Sequence, residues 1–497
     1  MARDYSRDIL QQLTEALEKI DQLTERVQRI EQETANKYLA IIYELERQIA
    51  AKDAEIAENR ARIAALEAEI ERLRRIINQD SHNSSAPPSR DQKPNEKPKR
   101  PNTYNGRERS GKAPGGQEGH PGKCLDKQQA EQLIESGAAI HTVVEHKPED
   151  STERYVSKYV IDIKIETIVT EHRFYADSND KIILPPEFYP DVRYGSNIKA
   201  YTLLLWGQGI VSSNRIISIV KETSEVNLSE GAFYNFLNEF DENAEPVTNN
   251  IKEHVLSSPI MGIDETNVRC EKRNMFFRNY STEKYVFYTA NPTRGKDAIK
   301  NDDILPKYVG TLIHDHNTVN YKYGGRNGEC NVHVLRYLTS AFENAHNRWA
   351  DDMAVLLLMI KNTREIAMLF GLTEFDPEQL QRYSDMYDAI IVRGFAEAKL
   401  TKSKLYRDEE MRLLRRLKKY KANHLLFAYD FTVPFDNNMS ERDLRMLKTK
   451  TKVSGCFRSL EGARRYAKLQ TIIKTATKQG CKVFDSIKAV FCVPVVV

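Results

Sequence analysis

The fold of this chain is decided by residues 259–269, PIMGIDETNVR, in which an apolar run ends in a carboxylate and alternating residues follow. This pattern predicts a buried strand with Asp264 at or near its end. A second copy of the pattern, YVGTLIHDH, carries Asp315 in the same position, and the segment DNNMSER places Glu441 at the start of a predicted helix. Any one of these acids alone is more commonly a solvated strand end or a helix cap. Three carboxylates from two strands and a helix, however, can hold two divalent cations.

The segment DNNMSER contains two candidates for the third carboxylate, Asp436 and Glu441. Glu441 is favoured because the positive end of a helix dipole stabilises an ionised acid. Asp436 is the rival ligand, although it can equally cap the turn before the helix. Three antiparallel-looking strands, a short helix and a second acid-bearing strand make up residues 259–316, and this is the order expected of an RNase H-like fold.

Length and composition limit the number of folded units and the compartment in which the protein is expected. The chain has 497 residues, of which 29% are charged, with a formal net charge of +3. The length predicts two to four folded units. Six scattered cysteines without a Cys-x-x-Cys pair argue against a disulfide scaffold or a four-cysteine zinc site, and they suggest a reducing compartment. With no visible secretory signal and no apolar run near the length of a membrane span, we expect a soluble, cytoplasmic protein.

The first 80 residues predict a long helix. Residues 8–79 contain no Gly or Pro, and apolar residues recur at alternating spacings of three and four. A seam that runs from Ile42 to Ile77, with Lys52 and Asn59 on it, is typical of a coiled coil. Self-association is therefore the favoured interpretation, and a helix packed back on its own body is the alternative.

The segment after this helix is rich in Ser, Pro, Gly, Lys and Arg and has almost no apolar residues, which predicts a disordered linker at 81–125. Such a basic arm can follow a phosphate backbone, although a plain solubilising linker is equally compatible with the composition. The candidate DNA-binding residues of the linker are Lys97, Lys99, Arg100, Arg107, Arg109 and Lys112.

Two small modules are predicted next. Alternating β-branched residues in 139–184 indicate a small sheet. Ser213 and Ser229 are candidate caps of two short helices that resemble a helix-turn-helix. The second of these helices is apolar and acidic, so we favour an ordinary helical hairpin over direct reading of bases.

Residues 330–337, CNVHVLRY, and the segment after Glu441 complete the set of candidate sites. Cys330 and His333 alone do not make a metal site, since two ligands are too few. We interpret His333 as a polar residue close to the carboxylates or to DNA, with a structural histidine as the alternative.

A basic run within 399–421 is either a solvated face or a DNA-contacting one. The remaining DNA-binding candidates are His333, Arg336, Arg442, Arg445, Lys448 and Lys450.

The predicted fold class is α/β. An RNase H-like catalytic core with a large all-α insertion follows an N-terminal coiled coil, a disordered basic linker and a small β/helical DNA-binding region. The predicted boundaries are 1–80 for the coiled coil, 81–125 for the linker, 126–190 for the β-rich module, 191–250 for the helix-turn-helix-like module, 251–335 for the first part of the core, 336–425 for the insertion, and 426–497 for the second part of the core with the C-terminal helices.

Taken together, these motifs resemble the large transposase of the insertion-sequence 66 family. The resemblance covers nearly the whole chain and includes NSSAPPS at 83–89, GGQEGH at 115–120, DET at 264–266, the Asp315 strand, Cys330 with His333 and Arg336, and NNMSER at 437–442 with EGA at 461–463. It implies a DDE transposase with Asp264, Asp315 and Glu441 as the catalytic, metal-binding triad and with two Mg²⁺ or Mn²⁺ ions. The implied partners are transposon ends, target DNA, further copies of the chain and accessory proteins of the same element.

The chain departs from that family in three places. The cysteine-rich zinc module that usually follows the linker has no cysteines here, so we expect no structural zinc. The family's Cys-Trp-Ala-His becomes Cys330-Asn331-Val332-His333, and its Asp-Gly-Tyr becomes Asp315-His316-Asn317.

The resemblance predicts metal-dependent cleavage at transposon ends and strand transfer into target DNA. One alternative is a non-catalytic or domesticated coiled-coil protein that binds DNA. Others are a coiled-coil scaffold and, within the enzyme class, a nuclease without strand transfer.

Overall fold

The computed structural model describes residues 2–78, 126–147, 154–271 and 273–492. The chain divides into two units, Met1–Asp80 with Ser403–Leu405, and the remainder. Most of the first unit is one long helix, α1, Ala2–Asn78, as predicted. Its apolar seam is exposed in the single chain; Ile20 and Ile63, for example, are 57% and 56% exposed. No helix in the described part of the chain combines the length and apolar character that crossing a membrane requires.

The second unit begins with α2, Lys127–Glu135, and a 3₁₀ turn at Pro186–Phe188. The small sheet predicted here needs correction, because the described residues between these two elements contain no strand. The backbone is extended, but its apolar side chains lie in solvent, with Val160 95% and Ile163 86% exposed. The alternating sequence pattern therefore corresponds to an extended backbone, but the described residues here lack the neighbouring strands that a sheet requires.

Four helices follow: α3 Ser196–Gly207, α4 Ser213–Ser224, α5 Glu230–Asn243 and α6 Glu245–Ser257. Ser229 caps α5 as predicted, since its hydroxyl accepts a hydrogen bond from the Ala232 amide at 3.0 Å. Ser213 is not the cap of α4, because it lies inside the helix and its hydroxyl donates to Glu230. The aromatic face of α5 is buried among the other helices and the sheet, so this face packs in the core and is not presented to a DNA groove.

The centre of the unit is a mixed five-stranded sheet. Its strands are β1 Ile260–Cys270, β2 Arg273–Ser281, β3 Val286–Asn291, β4 Thr311–His314 and β5 Arg326–Glu329, and α7, Lys296–Asp302, connects β3 with β4. The spatial order is β3-β2-β1-β4-β5. The β1–β2 and β2–β3 pairs are antiparallel, whereas β1–β4 and β4–β5 are parallel. This sheet forms the predicted RNase H-like core.

Helices then surround the sheet. The insertion comprises α8 Asn331–Ala345, α9 Arg348–Leu369, α10 Pro377–Leu400, α11 Lys404–Lys419, α12 Lys421–His424 and α13 Leu426–Tyr429. The chain returns to the sheet through α14 Asn438–Ser454, α15 Leu460–Lys478 and α16 Val483–Val490. Helix α15 packs along the outer edge of β3, where the hydroxyls of Thr475 and Thr471 accept hydrogen bonds from the amides of Val286 and Tyr288 at 3.2 and 3.0 Å.

Candidate active site

Two of the predicted acids lie side by side because their strands are parallel neighbours. In the β1–β4 pair, Ile263 lies opposite His314, so Asp264, the next residue of β1, lies level with Asp315, which directly follows the end of β4. Because β1 continues to Cys270, Asp264 lies well inside this strand and not at or near its end as predicted. The Asp264 backbone is held from its other side, where its amide donates to the Asn279 side-chain oxygen at 3.0 Å. The sheet therefore brings together the first two carboxylates of the predicted triad.

Helix α14 carries Glu441 and is attached directly to β1 and β2. The Asn437 side-chain amide donates to the Ile263 carbonyl at 2.8 Å, and the Asn279 amide donates to the Ser440 carbonyl at 2.9 Å. Both asparagines are buried, at 2% and 0% exposed. These two hydrogen bonds fix the first turn of the helix beside Asp264.

Asp436, the rival third ligand, is engaged elsewhere. Its carboxylate accepts hydrogen bonds from the Asn438 backbone amide at 2.9 Å and from the Asn438 side chain at 2.6 Å. Asp436 thus stabilises the turn that leads into α14, while Glu441 faces Asp315 through an intervening histidine.

Gly262 allows α14 to lie this close to β1. A Cβ at position 262 would lie 2.4 Å from Ser440 Oγ and 2.5 Å from Asn437 Oδ1. Neither contact relaxes easily, because both side chains are buried and Asn437 is hydrogen-bonded to β1.

We therefore expect Gly262→Ala to displace α14, to lower the affinity for Mn²⁺ at least tenfold, and to cost about 1–3 kcal/mol of stability as overpacking does. Calorimetric titration with Mn²⁺ and urea unfolding would measure the two effects. Gly295→Ala is the matched control, since a Cβ there has no neighbour within 4 Å. Unchanged Mn²⁺ affinity in Gly262→Ala would contradict this role of the glycine.

His333 lies between Asp315 and Glu441. Its Nδ1 is 3.0 Å from Asp315 Oδ1 and 3.6 Å from Glu441 Oε1. All three atoms are buried, and none has a well-directed hydrogen bond. Buried polar atoms that lack well-directed hydrogen bonds are costly, so their convergence here fits a site that takes a cation. The residues present therefore suit the divalent metal that the predicted chemistry requires.

Burial and neighbouring charges shift the pKa values of two groups at this site, Asp264 and His333. Burial, together with the negative charge of Asp315, raises the pKa of Asp264 to about 7, although the nearby Lys448 ammonium opposes the shift. For His333, burial alone would lower the pKa, but its close contacts with Asp315 and Cys330 raise the pKa to about 11. Such shifts are common where titratable groups are buried together at a functional site.

The cations predicted to bind DNA divide into three groups. Arg442, Arg445 and Lys448 are exposed on α14 beside the carboxylates, and Arg336 Nη1 lies 3.3 Å from His333 Nε2. Lys450 requires a correction: it is 6% exposed, and its ammonium lies over the rings of Trp206 and Tyr466, so it is not on the exposed cationic face. The candidates in the linker lie outside the described residues: Lys97, Lys99, Arg100, Arg107, Arg109 and Lys112.

A buried carboxylate that the sequence did not single out connects the site to the insertion. Glu329, at the end of β5, is 2% exposed. Its oxygens lie 3.1 Å from His316 Nδ1 and 3.2 Å from His424 Nε2, and they accept hydrogen bonds from Tyr321 and Arg416. Since His316 follows Asp315 directly, while Arg416 and His424 belong to α11 and α12, Glu329 joins the Asp315 loop to the helical insertion.

Two known family models match separate parts of the chain. The IPGA1 coiled-coil family model matches residues 10–99, which confirms the predicted N-terminal coiled coil. No curated protein matches the chain. The model described as the IS66 transposase family matches residues 191–465, a span that contains Asp264, Asp315, His333 and Glu441. Because this match covers more than half of the chain, the protein belongs to the IS66 family of transposases.

Proposed function

We propose that this protein catalyses metal-dependent DNA cleavage at transposon ends and strand transfer into target DNA, with Asp264, Asp315 and Glu441 as metal ligands. The observation that carries the proposal is the convergence of buried oxygens of Asp315 and Glu441, neither in a well-directed hydrogen bond, around His333 beside the end of β4. Membership of a DDE transposase family, whose members typically use divalent metals, supports the same assignment.

When bound, two Mg²⁺ or Mn²⁺ ions would activate an attacking water or hydroxyl and stabilise the leaving oxygen. The chain itself supplies the position of each carboxylate: β1 and β4 hold Asp264 and Asp315, and the two asparagine bonds hold Glu441. The exposed cations of α14 are placed to neutralise the phosphates of a bound strand and to align it beside the carboxylates.

The N-terminal helix is proposed to pair copies of the protein. Its seam residues, such as Ile20 and Ile63, are more than half exposed in the single chain. A coiled coil removes such a seam from water only through a partner helix. A paired protein would offer two active sites, one for each end of a transposon.

The decisive experiment incubates the protein with labelled duplexes that carry the ends of its own element, together with target DNA and Mg²⁺ or Mn²⁺. Wild type is expected to give joined products. Glu441→Gln is expected to lose at least about 100-fold in rate, because removing a direct ligand should exceed the 10–100-fold cost of losing a residue that only orients one.

Glu461→Gln is the matched control, since Glu461 lies at the start of another helix and pairs only with Arg465 among the contacts described for it. Equal activity in wild type and Glu441→Gln would overturn the assignment of Glu441. DNA binding without cleavage by wild type, even with accessory proteins of the element, would instead indicate a non-catalytic DNA-binding protein.

A further inference from the structure

Cys330 and His333 meet two of the catalytic carboxylates. The chain turns from β5 into α8 at Cys330, and His333 lies in the first turn of that helix. Ligand atoms of Asp315, Cys330, His333 and Glu441 all lie within 4.8 Å of one another. From sequence, Cys330 and His333 are only two ligands, and the fold supplies the other two from β4 and α14.

The chemistry of these four groups differs from that of a magnesium site. Mg²⁺ prefers oxygen ligands and keeps several waters, whereas a thiolate and an imidazole suit Zn²⁺ and Co²⁺. One sulfur, one nitrogen and two carboxylates also give the four ligands that zinc ordinarily takes. Asp264, the third acid of the proposed triad, is not a member of this set.

Packing alone leaves part of this cluster unexplained. The Cys330 thiol is 1% exposed and accepts a weak hydrogen bond from the Asn437 amide at 3.3 Å, which is an ordinary structural role. His333 is 7% exposed, and yet its Nδ1 has no well-directed partner, nor do the facing oxygens of Asp315 and Glu441. A buried histidine nitrogen that lies 3.0 and 3.6 Å from two carboxylate oxygens and near a thiol, without a well-directed hydrogen bond, fits a ligand set with a cation at its centre.

We propose that this site has a second binding mode, in which a thiophilic ion such as Zn²⁺ is held by Cys330, His333, Asp315 and Glu441. The Cys330 thiol and the protonated His333 imidazole each release a proton to solvent when the ion binds. Because Asp315 and Glu441 are shared, this ion and the catalytic ions exclude each other, so zinc inhibits the enzyme. The inhibition rests on the proposed function, whereas the binding itself does not.

Cobalt tests the binding without any DNA. Titration of the metal-free protein with Co²⁺ is expected to produce the near-ultraviolet charge-transfer absorption of a cobalt–thiolate bond, saturating at one ion per chain. Cys330→Ser is expected to lose this absorption. Cys456→Ser, which changes an exposed cysteine of the described chain, is the matched control and retains it.

Because Cys330 is buried, folding of the serine variant is checked by circular dichroism, and His333→Gln provides a second variant that leaves the thiol intact. His333→Gln is expected to weaken Co²⁺ binding at least tenfold. Absence of the thiolate absorption in wild type, or its survival in Cys330→Ser, would overturn the site. An unchanged Co²⁺ affinity in His333→Gln would remove the histidine from it.

A second experiment measures how zinc inhibits strand transfer in the presence of Mg²⁺. The inhibited rate of each variant is compared with the rate of the same variant without zinc. Cys330→Ser is expected to require at least tenfold more zinc for half-inhibition than wild type or Cys456→Ser. Equal inhibition of all three would overturn the inhibitory role. If wild type shows no strand transfer, the proposed function fails, and the cobalt titration still decides whether the metal site exists.

Discussion

Asp264→Asn is expected to abolish strand transfer and, at the same time, to stabilise the metal-free protein. The loss of activity follows from removing a proposed metal ligand. The gain in stability follows from removing a negative charge that is held in a partly buried position beside two other carboxylates, where burial and the charge of Asp315 raise the pKa of Asp264 to about 7. A functional site commonly carries a cost of this kind to folding.

The effect depends on pH in a defined direction. The unfolded chain ionises Asp264 near its ordinary value of 3.8, whereas the folded protein resists ionisation up to about pH 7. The wild type therefore loses stability relative to the asparagine variant as the pH rises from 4 to 7, and the difference is constant above that range. At pH 8 the difference in unfolding free energy between the two proteins is expected to be about 1–3 kcal/mol. A pKa difference of about three corresponds to ~4 kcal/mol, but surrounding cations and water reduce this cost.

Urea unfolding in the presence of a chelator, at pH 5 and pH 8, measures this difference. Asp297→Asn, at an exposed acid in the first turn of α7, is the control and should change stability by no more than about 0.5 kcal/mol. Destabilisation by Asp264→Asn, or a stabilisation equally large at both pH values, would contradict the electrostatic explanation.

Glu329→Ala is expected to have the opposite effect on stability and to destabilise the protein strongly. Removing this carboxylate leaves the Arg416 guanidinium, whose side chain is 13% exposed, without its counterion. Breaking a buried ion pair in this way costs about 3–5 kcal/mol. Burial alone would raise the pKa of Glu329, but the contacts with His316 and His424 hold it well below its ordinary value, which shows that the folded protein stabilises the ionised form.

Urea unfolding at pH 7 measures the loss, and Asp388→Ala is the comparison. Asp388 forms an ion pair with Lys421 in the same insertion, but its side chain is 62% exposed, so its removal should cost no more than about 1 kcal/mol. Hydrogen exchange of residues 315–323 is expected to increase in Glu329→Ala and not in Asp388→Ala, because Glu329 contacts both His316 and Tyr321. Equal losses of stability in the two variants would contradict the role of Glu329.

The sequence was most informative where the pattern was local. The alternation around β1 and the acid after β4 indicated the two strands, and their parallel pairing, with Ile263 opposite His314, brings Asp264 and Asp315 side by side. The helix at 441 was equally visible, since NNMSER combines a polar start with apolar spacing. These local signals were sufficient for the RNase H-like core and for its three candidate carboxylates.

Features that depend on distant contacts were not predictable in the same way. Asn279 and Asn437 fix α14 to β1, but each is an ordinary polar residue until the fold brings it to its partner. Strand β5, Arg326–Glu329, lacks an apolar run, so nothing local marked it as a strand, and Glu329 consequently gave no sign of its contacts. Lys450 shared the basic character of its neighbours, although the position of Trp206 and Tyr466 buries it.

The arrangement of α15 along β3 also limits how copies of the protein can assemble. An outer strand normally offers free amides and carbonyls, to which another extended chain can bind. On β3, the amides of Val286 and Tyr288 donate to threonine hydroxyls, and the Val286 carbonyl accepts from Thr475 at 3.3 Å. This edge therefore cannot recruit a further strand, whether from a second copy or from the exposed, alternating segment of the same chain. Copies of the protein therefore cannot join through this edge into a continuous sheet.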